Sequence, residues 1–508
     1  MKQPNHEGEE RHAALLNNAA AIRAICSAVE GTLGPKGLDT MLVGPSGDVL
    51  VTNDGATILE KMDVTHPAAR MLVQVARSQQ EQIGDGTTTA TVLAGALVSE
   101  GVAQVTRGVP VAKVVQGIQE GVRFAAERMH ARSRAVNGPD DPILYQIAYV
   151  AGREQSDIAE LVVEAARKLG GGRLSEDGFR FADLVSSHER RHNEVWPGLL
   201  LEQKPYQAHQ FETEYAGCSV LVLYDALEPD KLEEEALVTE SGFQTFMKLK
   251  ERFAEHLRKL LALNIRLVAT DRSADPEAEQ FCSDHGIMLL QRTPKRELER
   301  LCEFTGAKPA RRSALGKPED ELFSYIGRCA ALSYDGRIRR VRVSGGAGKP
   351  TATVLVGAST REVVGERARI AKDAAAAVQA AIRGGYLPGG GSVELAVAHE
   401  LERYRETATG LEAFGLEAAA HALRKPLAQI ALNAGFNPLE KVEAVKAAQL
   451  AEQSDCHGID CDTGSVTDCL AAGVVDPAPV KMHALRAAGE VAAAVLRIHT
   501  VIKMRSDE

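Results

Sequence analysis

The stretch Gly84-Asp85-Gly86-Thr87-Thr88-Thr89 brings two glycines, a carboxylate and three threonines together ahead of an apolar helical run, 90–98. A helix that begins here would present unpaired backbone N–H groups and a partial positive charge, which both favour a phosphate. The glycines would let the backbone approach a ligand closely. Because Asp85 would repel a phosphate unless a cation lay between them, the stretch suggests a magnesium–phosphate site. A capped helix after a tight turn explains these six residues alone equally well.

Length, composition and charge limit the class of protein. The chain has 508 residues, 44% hydrophobic and 25% charged, which is typical of a globular protein with about three domains. The net charge of −10 argues against a nucleic-acid partner. The sequence contains no run of about 18 apolar residues, so it predicts no membrane span. The polar N-terminus lacks the apolar core of a signal peptide. We therefore expect a cytoplasmic protein with no nucleic-acid or membrane partner.

The eight cysteines contain no Cys-x-x-Cys pair. Their closest group is Cys456, Cys461 and Cys469, with His457 alongside. This spacing is not one that zinc sites usually have. We expect reduced, structural thiols rather than a metal centre.

The pattern along the chain suggests a change of architecture in the middle. A cluster of chain-breaking residues, Asn137–Pro142, is a plausible domain edge. Beyond about residue 197, short buried-strand runs at 219–223, 265–269 and 287–290 alternate with helical patterns, as in an α/β domain. The chain is mainly helical again after residue 359, with one helix predicted over 411–434 and the last over 480–501.

One acidic segment, 226–238, carries interspersed apolar residues and leads into a charged helical pattern over 242–261. A solvated loop followed by a helix start is the simpler interpretation of these residues alone. A protrusion that contacts a partner is the alternative. Composition by itself favours the loop.

Further glycine loops and aspartates have ligand-binding potential. Gly34–Gly37 and Gly389–Gly391 are glycine-rich loops, Asp54 lies in a second turn, and Asp373 lies inside a predicted helix. The chain has no Walker A motif. Taken singly, each residue also has an ordinary interpretation, such as a turn aspartate or an exposed helical residue.

Taken together and in order, these stretches resemble the signature series of the chaperonins. The resemblance runs from about residue 12 to 501, and it rests on the stretches 32–37, 53–59, 66–69, 84–89, 366–368, 373–374, 388–391, 433–435 and 476–481. The stretches 53–58 and 66–69 look like the archaeal and eukaryotic branch, whereas 156–165 looks partly bacterial. This combination indicates a divergent archaeal-type chaperonin, with the group III chaperonins found in bacteria as the open alternative.

The resemblance implies a multidomain α+β fold with three domains, two of them discontinuous. It divides the chain into a mainly helical equatorial domain (1–136 and 385–508), a small intermediate α/β domain (137–197 and 350–384) and an apical α/β domain (198–349) whose helical lid spans about 226–260. In this family branch the lid is built in, so the resemblance reverses the interpretation of 226–238 as a plain loop.

The resemblance also implies ATP and Mg²⁺ as cofactors, with K⁺ as a further candidate, and assigns roles to residues. The catalytic pair would be Asp373, which activates the attacking water, and Asp54 beside it. Asp85 would ligate the metal. The nucleotide would be bound by Thr32, Leu33, Gly34, Pro35, Gly86, Thr87, Thr88, Thr89, Arg153, Gly390, Asn433 and Asp476.

Two of these roles depend on further assumptions. Archaeal relatives carry a Thr-Ser-Ile-x-x-Lys-like element whose lysine senses the γ-phosphate, and here the corresponding stretch 148–153 ends in Arg153. Arg153 would keep the charge but with a forked geometry, or it is a surface residue. Asp373 falls in the intermediate segment and Asp85 in the equatorial one, so the resemblance implies that domain closure brings them together.

The function implied is an ATP-driven folding chamber for unfolded or misfolded proteins. It would be a homo-oligomer of two stacked eight-membered rings and would need no separate co-chaperonin as a lid. A second hypothesis is a nucleotide-gated holdase or scaffold, which captures unfolded chains without productive release. A small-molecule kinase is a weak third hypothesis, because the sequence shows no acceptor site.

Overall fold

The computed structural model describes residues 6–230 and 240–501. The middle of the predicted lid, 231–239, lies outside the described residues, as do 1–5 and 502–508 of the predicted equatorial segments. Among the described residues, no helix is long and apolar enough to cross a membrane.

Helices dominate the N-terminal and C-terminal parts of the chain, where strands are few and short. In chain order the α-helices of the described residues are α1 (His6–Val29), α2 (Gly55–Lys61), α3 (Pro67–Gln82), α4 (Thr87–Thr106), α5 (Val111–Arg132), α6 (Ile143–Ala151), α7 (Ser156–Ser175), α8 (Glu240–Ala262), α9 (Pro276–Asp284), α10 (Lys295–Thr305), α11 (Glu319–Phe323), α12 (Arg361–Gly384), α13 (Ser392–Thr407), α14 (Ala413–Leu423), α15 (Lys425–Asn433), α16 (Pro438–Glu452) and α17 (Ala478–Leu496).

The strands concentrate in the middle of the chain. In the same order they are β1 (Thr40–Val43), β2 (Val49–Thr52), β3 (Val185–His188), β4 (Glu194–Trp196), β5 (Gly198–Leu201), β6 (Tyr215–Leu223), β7 (Ile265–Thr270), β8 (Met288–Leu290), β9 (Gly327–Asp335), β10 (Arg340–Gly346), β11 (Thr353–Gly357), β12 (Tyr386–Pro388), β13 (His457–Ile459), β14 (Val466–Asp468) and β15 (Val475–Pro477).

The chain forms two compact units. The first unit contains Met1–Val163, Arg180–Ala182 and Arg369–Glu508, and the second contains Glu164–Phe179 and Asp183–Ala368. Both are discontinuous in sequence. The finer division into equatorial, intermediate and apical domains stays a prediction.

The first unit is a helical assembly built around α4. This helix is apolar on nearly every side, and Val92, Leu93 and Leu97 are all buried. A helix that is apolar all round can be stable only inside a core. It packs against α1, α3, α14 and α17, and α17 gives it the most extensive contact. The position of α4 therefore fixes where its first turn, Thr87–Thr89, points.

Two glycines let α5 and α14 approach closely. A Cβ on Gly117 would overlap the carbonyl oxygen of Glu412 and lie 2.7 Å from the Cα of Gly415. Gly415 in turn faces the backbone of α5 at Gly117. Backbone-to-backbone packing of this kind leaves no room for a side chain.

The second unit contains a six-stranded mixed sheet in the order β5-β10-β9-β6-β7-β8. Strands β6, β7 and β8 are parallel, and the remaining pairings are antiparallel. Because side chains alternate along a strand, Val220 and Val222 of β6 join one hydrophobic cluster while Leu221 and Leu223 join another. Both faces of this sheet are thus covered, as the apolar run at 219–223 predicted. A separate three-stranded sheet has the order β3-β11-β4.

Helix α8 covers much of the described part of the predicted lid, about 226–260, and its two halves differ. Phe253, Leu257 and Leu260 in the second half are buried in the core beneath the sheet. Phe243 and Met247 in the first half are 56% and 44% exposed. The C-terminal part of the predicted lid segment therefore belongs to the core of the second unit.

Two helix predictions need correction. The single helix predicted over 411–434 is two helices, because Pro426 lies in the first turn of α15, where its missing N–H costs nothing. The last helix begins at Ala478 and ends at Leu496, whereas the sequence pattern predicted 480–501.

We predict that Gly117→Ala lowers the melting temperature of the protein markedly, since the added methyl overlaps the backbone of α14. Overpacking of this kind typically lowers the free energy of unfolding by about 1–3 kcal/mol or more. Gly31→Ala is the matched control in the same unit, because a Cβ on Gly31 meets nothing within 4 Å. Scanning calorimetry of both variants checks this, and equal melting temperatures would contradict the packing described.

Candidate functional site

Several helices of the first unit begin at one cavity of about 380 Å³. Gly55 is the first residue of α2, Thr87 is the first of α4, and Gly391 directly precedes α13. Pro477, which precedes α17, also lines the cavity. The partial positive charges of these helix N-termini are directed toward the same volume, so the cavity favours an anion.

Gly86 leaves the N-terminus of α4 available to a ligand. Its φ of 80° is in the left-handed region, and a Cβ would lie 2.5 Å from Cγ1 of Val480. A glycine at this position has no side chain that could accept from the first-turn N–H groups, which therefore stay open. The side chain of Gln79 fixes the loop by donating to the carbonyl oxygens of Asp85 (2.7 Å) and Val480 (3.2 Å).

A second glycine brings α2 against α4. A Cβ on Gly55 would lie 2.5 Å from Oγ1 of Thr88, so only glycine allows this approach. Oγ1 of Thr88 is also 3.4 Å from Oγ1 of Thr32. The threonine run, the start of α2 and the Thr32–Pro35 loop thus form one continuous wall.

The Thr32–Pro35 loop is supported from behind by Asn433. The Asn433 amide donates to the carbonyl oxygens of Glu30 and Leu33, both at 2.8 Å. Asn433 itself does not line the cavity, although the resemblance assigned it to nucleotide binding. Of the residues predicted to bind or process nucleotide, it is the one that the structure places outside the cavity wall.

The predicted carboxylates meet in this cavity. Asp54, Asp85, Asp373 and Asp476 all line it, although up to 422 positions of sequence separate them. Asp373 is buried on α12 and belongs to the same compact unit as Asp54 and Asp85. This differs from the expectation that domain closure delivers Asp373, because the side chain already lines the cavity here.

Asp54 is held by its own helix and by an arginine that sequence reasoning missed. Its Oδ2 accepts from the backbone N–H and hydroxyl of Thr57 at 2.9 and 2.6 Å, and it lies 3.3 Å from Nη1 of Arg369. Arg369 precedes Asp373 by one helical turn on α12. Burial lowers the pKa of Arg369, and the charge of Asp373 opposes that effect. Arg369 could have been identified from the sequence, because its i, i+4 spacing to Asp373 places both side chains on the same face of a helix.

Asp85 has the electrostatics of a cation ligand. The pKa of Asp85 is raised to about 6, first by burial and then by the neighbouring Asp476 carboxylate. The N–H of Gly86, which donates to Oδ1 at 2.6 Å, and the charges of Arg153 and Lys481 only partly offset this. A bound cation would relieve the cost of ionising Asp85.

Lys481 and Glu394 form a buried ion pair that the sequence did not reveal. Nζ of Lys481 lies 2.7 Å from Oε1 of Glu394 and 2.8 Å from Oδ2 of Asp476. Burial alone would lower the pKa of Lys481, but Asp476 and Glu394 outweigh burial and hold it above its usual value. The pair fixes the orientation of Asp476 at the cavity wall.

Arg153 and Glu154 line the cavity with unusual backbone angles. Their φ values are 53° and 59°, in the left-handed region that residues other than glycine rarely adopt. Two such residues in succession cost conformational energy, and strained backbone conformations of this kind cluster at functional sites. Arg153 is half-buried and lines the cavity, and its role in sensing a phosphate stays a prediction.

A metal ion at this site would need ligands from the nucleotide. In the described part of the chain, no group of three or more His, Cys, Asp or Glu side chains is placed to hold a metal. Mg²⁺ commonly binds through one or two carboxylates together with phosphate oxygens and water. Asp85 beside the phosphate-favouring start of α4 fits that arrangement.

Comparison with known proteins gives a consistent family. The model of the TCP-1/cpn60 chaperonin family matches residues 25–506. The chain is 32% identical to thermosome subunit beta of Aeropyrum pernix over 98% of this chain and 93% of the relative. It is 30% identical to the thermosome subunit of Methanocaldococcus jannaschii over 97% of this chain and 93% of the relative.

A solved structure shows the same fold. It is described as a crystal structure of a group III chaperonin in the open state, and its TM-score against this chain is 0.89 at 44% identity. The match covers 97% of this chain and all of the other. The likeness to both thermosome subunits and a group III chaperonin agrees with the mixed sequence signals.

We predict that Asp85→Asn raises the melting temperature of the nucleotide-free and magnesium-free protein at pH 7.5, by about 2 °C or more. The pKa of Asp85 is higher in the folded protein than in the unfolded chain, so the protonated carboxyl stabilises the fold. This contribution to the free energy of unfolding is complete below the ordinary pKa of 3.8. It is lost as the pH rises to about 6. The uncharged amide avoids that loss.

The gain should be constant above about pH 7 and shrink as the pH falls from 6 toward 4. Melting curves across this pH range measure it. Lys372→Gln, an exposed position on α12, is the control and should show no such dependence. A gain for Asp85→Asn that does not vary with pH would mean that the carboxylate is not the cause.

Proposed function

Because the chain belongs to the TCP-1/cpn60 chaperonin family, we propose that it is an ATP-dependent chaperonin that encloses unfolded proteins and promotes their folding through ATP binding and hydrolysis. The observation that carries the proposal is the cavity of the first unit. It joins several helix N-termini, which favour an anion, to a set of carboxylates, which favour a cation. Mg²⁺ with a nucleotide polyphosphate satisfies both requirements at once.

Different residues of the cavity would bind the phosphates, the metal, and the sugar and base of the nucleotide. We assign the phosphates to the Thr32–Pro35 loop and to the first turn of α4, where Gly86 leaves the N–H groups of Thr87, Thr88 and Thr89 open. Asp85 holds the metal. Gly390 and Asp476 border the sugar and base, and Arg153 takes the place of the γ-phosphate-sensing lysine, with its charge near Asp85.

Hydrolysis needs a base for water, and Asp373 is the residue in place. When bound, ATP with Mg²⁺ supplies the phosphoanhydride bond and a metal charge that offsets the phosphate charge. The Asp373 carboxylate, which is 9% exposed, orients a water molecule and accepts its proton. Asp54, fixed by Thr57 and Arg369, keeps a second carboxylate beside it.

The client-facing part of the proposal concerns the second unit. Phe243 and Met247 are large apolar side chains left exposed on the first half of α8. Exposed apolar side chains next to each other on one helix suit contact with unfolded chains. We place them in a built-in lid that makes a separate co-chaperonin unnecessary. The assembly we propose is a cytoplasmic homo-oligomer of two stacked eight-membered rings, as the likeness to thermosome subunits suggests.

We predict that Asp373→Asn lowers the ATP turnover rate by about a hundredfold or more while ADP affinity stays within a few-fold of wild type. Removal of a general base typically costs about this much. Steady-state ATPase assays and calorimetric ADP titration measure the two effects. Lys372→Gln on the same helix is the control with unchanged turnover. If Asp373→Asn kept its turnover rate, the catalytic assignment would be wrong.

We predict that recovery of a chemically denatured enzyme requires hydrolysable ATP. The double substitution Phe243→Ser, Met247→Ser should lower the recovery of the denatured enzyme. It should not lower the ATPase activity, because it leaves the buried half of α8 intact. Thr245→Ala, exposed on the same turn, is the control. Equal recovery of the enzyme with and without ATP would favour a holdase instead of a folding chamber.

A further inference from the structure

A second cavity, of about 430 Å³, lies wholly within the second unit. One wall is the loop 189–193, which joins β3 to β4, and the other is the turn 336–339 between β9 and β10. None of its lining residues belongs to the nucleotide cavity. It therefore needs an explanation of its own.

The floor of this cavity is a fixed ion cluster. Arg342 donates to Oε1 and Oε2 of Glu194 at 2.7 and 2.9 Å, and it reaches Oδ2 of Asp335 at 3.0 Å. Its guanidinium also stacks on the ring of Trp196, 4.4 Å from the centroid. The hydrogen bond from Arg342 lowers the pKa of Glu194, so this carboxylate is ionised. One arginine thus neutralises part of the charge of two carboxylates.

The rim carries two further arginines, Arg190 and Arg337, both exposed. Among the described residues, neither side chain has an ion pair or a hydrogen bond to the protein. Three arginines against two carboxylates leave the cavity with a net positive charge when His188 and His192 are neutral. This local excess stands out in a chain with a net charge of −10.

The loop that carries Arg190 has a defined conformation. The Arg190 carbonyl packs against Gly357, where any Cβ would overlap it. The N–H of Gly357 donates to Oδ1 of Asn193 at 3.0 Å, and Nε2 of the buried His188 donates to the carbonyl of His192 at 2.8 Å. Because the loop is tied at both ends, its backbone has little conformational entropy left to lose when Arg190 binds a ligand.

We propose that this cavity binds a small multivalent anion of the phosphate class, which Arg190 and Arg337 hold from the rim. Guanidinium groups bind phosphate oxygens in pairs through parallel N–H donors, and two of them on opposite walls can bridge one ligand. The volume is in the range of small-molecule sites rather than of a peptide groove. Arg342 offsets part of the negative charge of the floor, and the two rim arginines outweigh the remainder.

The experiment is a calorimetric titration of the full-length protein with tripolyphosphate. Saturating ADP and excess Mg²⁺ are present throughout to occupy the nucleotide cavity. We expect wild type to bind and the double variant Arg190→Gln, Arg337→Gln to bind at least about tenfold more weakly. Arg191→Gln is the matched control, because Arg191 is also exposed but donates to Ser359 at 2.7 Å and does not line the cavity.

Equal affinity of all three proteins would overturn the proposal, as would the absence of binding to wild type. A hexaglutamate peptide is titrated in parallel, and binding of the peptide in place of tripolyphosphate would also overturn it. Melting curves of each variant confirm that it is folded. Because variants are compared at one cavity, a failure here leaves the ATPase assignment untouched, and a failure of that assignment leaves this result interpretable.

Discussion

The burial of α4 on nearly every side is the constraint on which the first unit depends. A helix without a polar face cannot shift or rotate without exposing apolar surface, so its N-terminus is held in one place by its whole length. Gly86 directly precedes this helix and provides no capping side chain. The core thus holds a set of open N–H groups rigidly at the cavity wall, which is what a phosphate site requires.

Much of this site could be predicted because its residues lie in short, recognisable stretches. Gly84–Thr89, Asp54 and Asp476 have local signals, and their order along the chain identified the family. Glu394 and Lys481 have none, because their role comes from burial beside each other and not from their neighbours in sequence. Asn433 was recognised as part of a stretch, yet only the fold shows that it supports a loop instead of lining the cavity.

The fold shows the same division between local and tertiary information. The apolar run at 219–223 predicted a strand buried on both faces, and β6 is one. The run over 411–434 hid a helix boundary, because apolar positions continue across Pro426 at a helical spacing. Helix α8 could not be divided into an exposed and a buried half from its pattern, since only tertiary packing shows that its second half alone joins the hydrophobic cluster.

The position of Asp373 bears on how the hydrolysis that we propose would be coupled to the rest of the chain. Closure is not needed to bring this carboxylate to the cavity, because it lines the cavity in the structure described. Yet α12 begins at Arg361 in the second unit and carries Arg369 and Asp373 in the first. The helix that orients both side chains therefore contains residues of both units. Since catalysis is sensitive to displacements of about 1 Å, a small shift of α12 would be enough to change the rate of the hydrolysis that we propose.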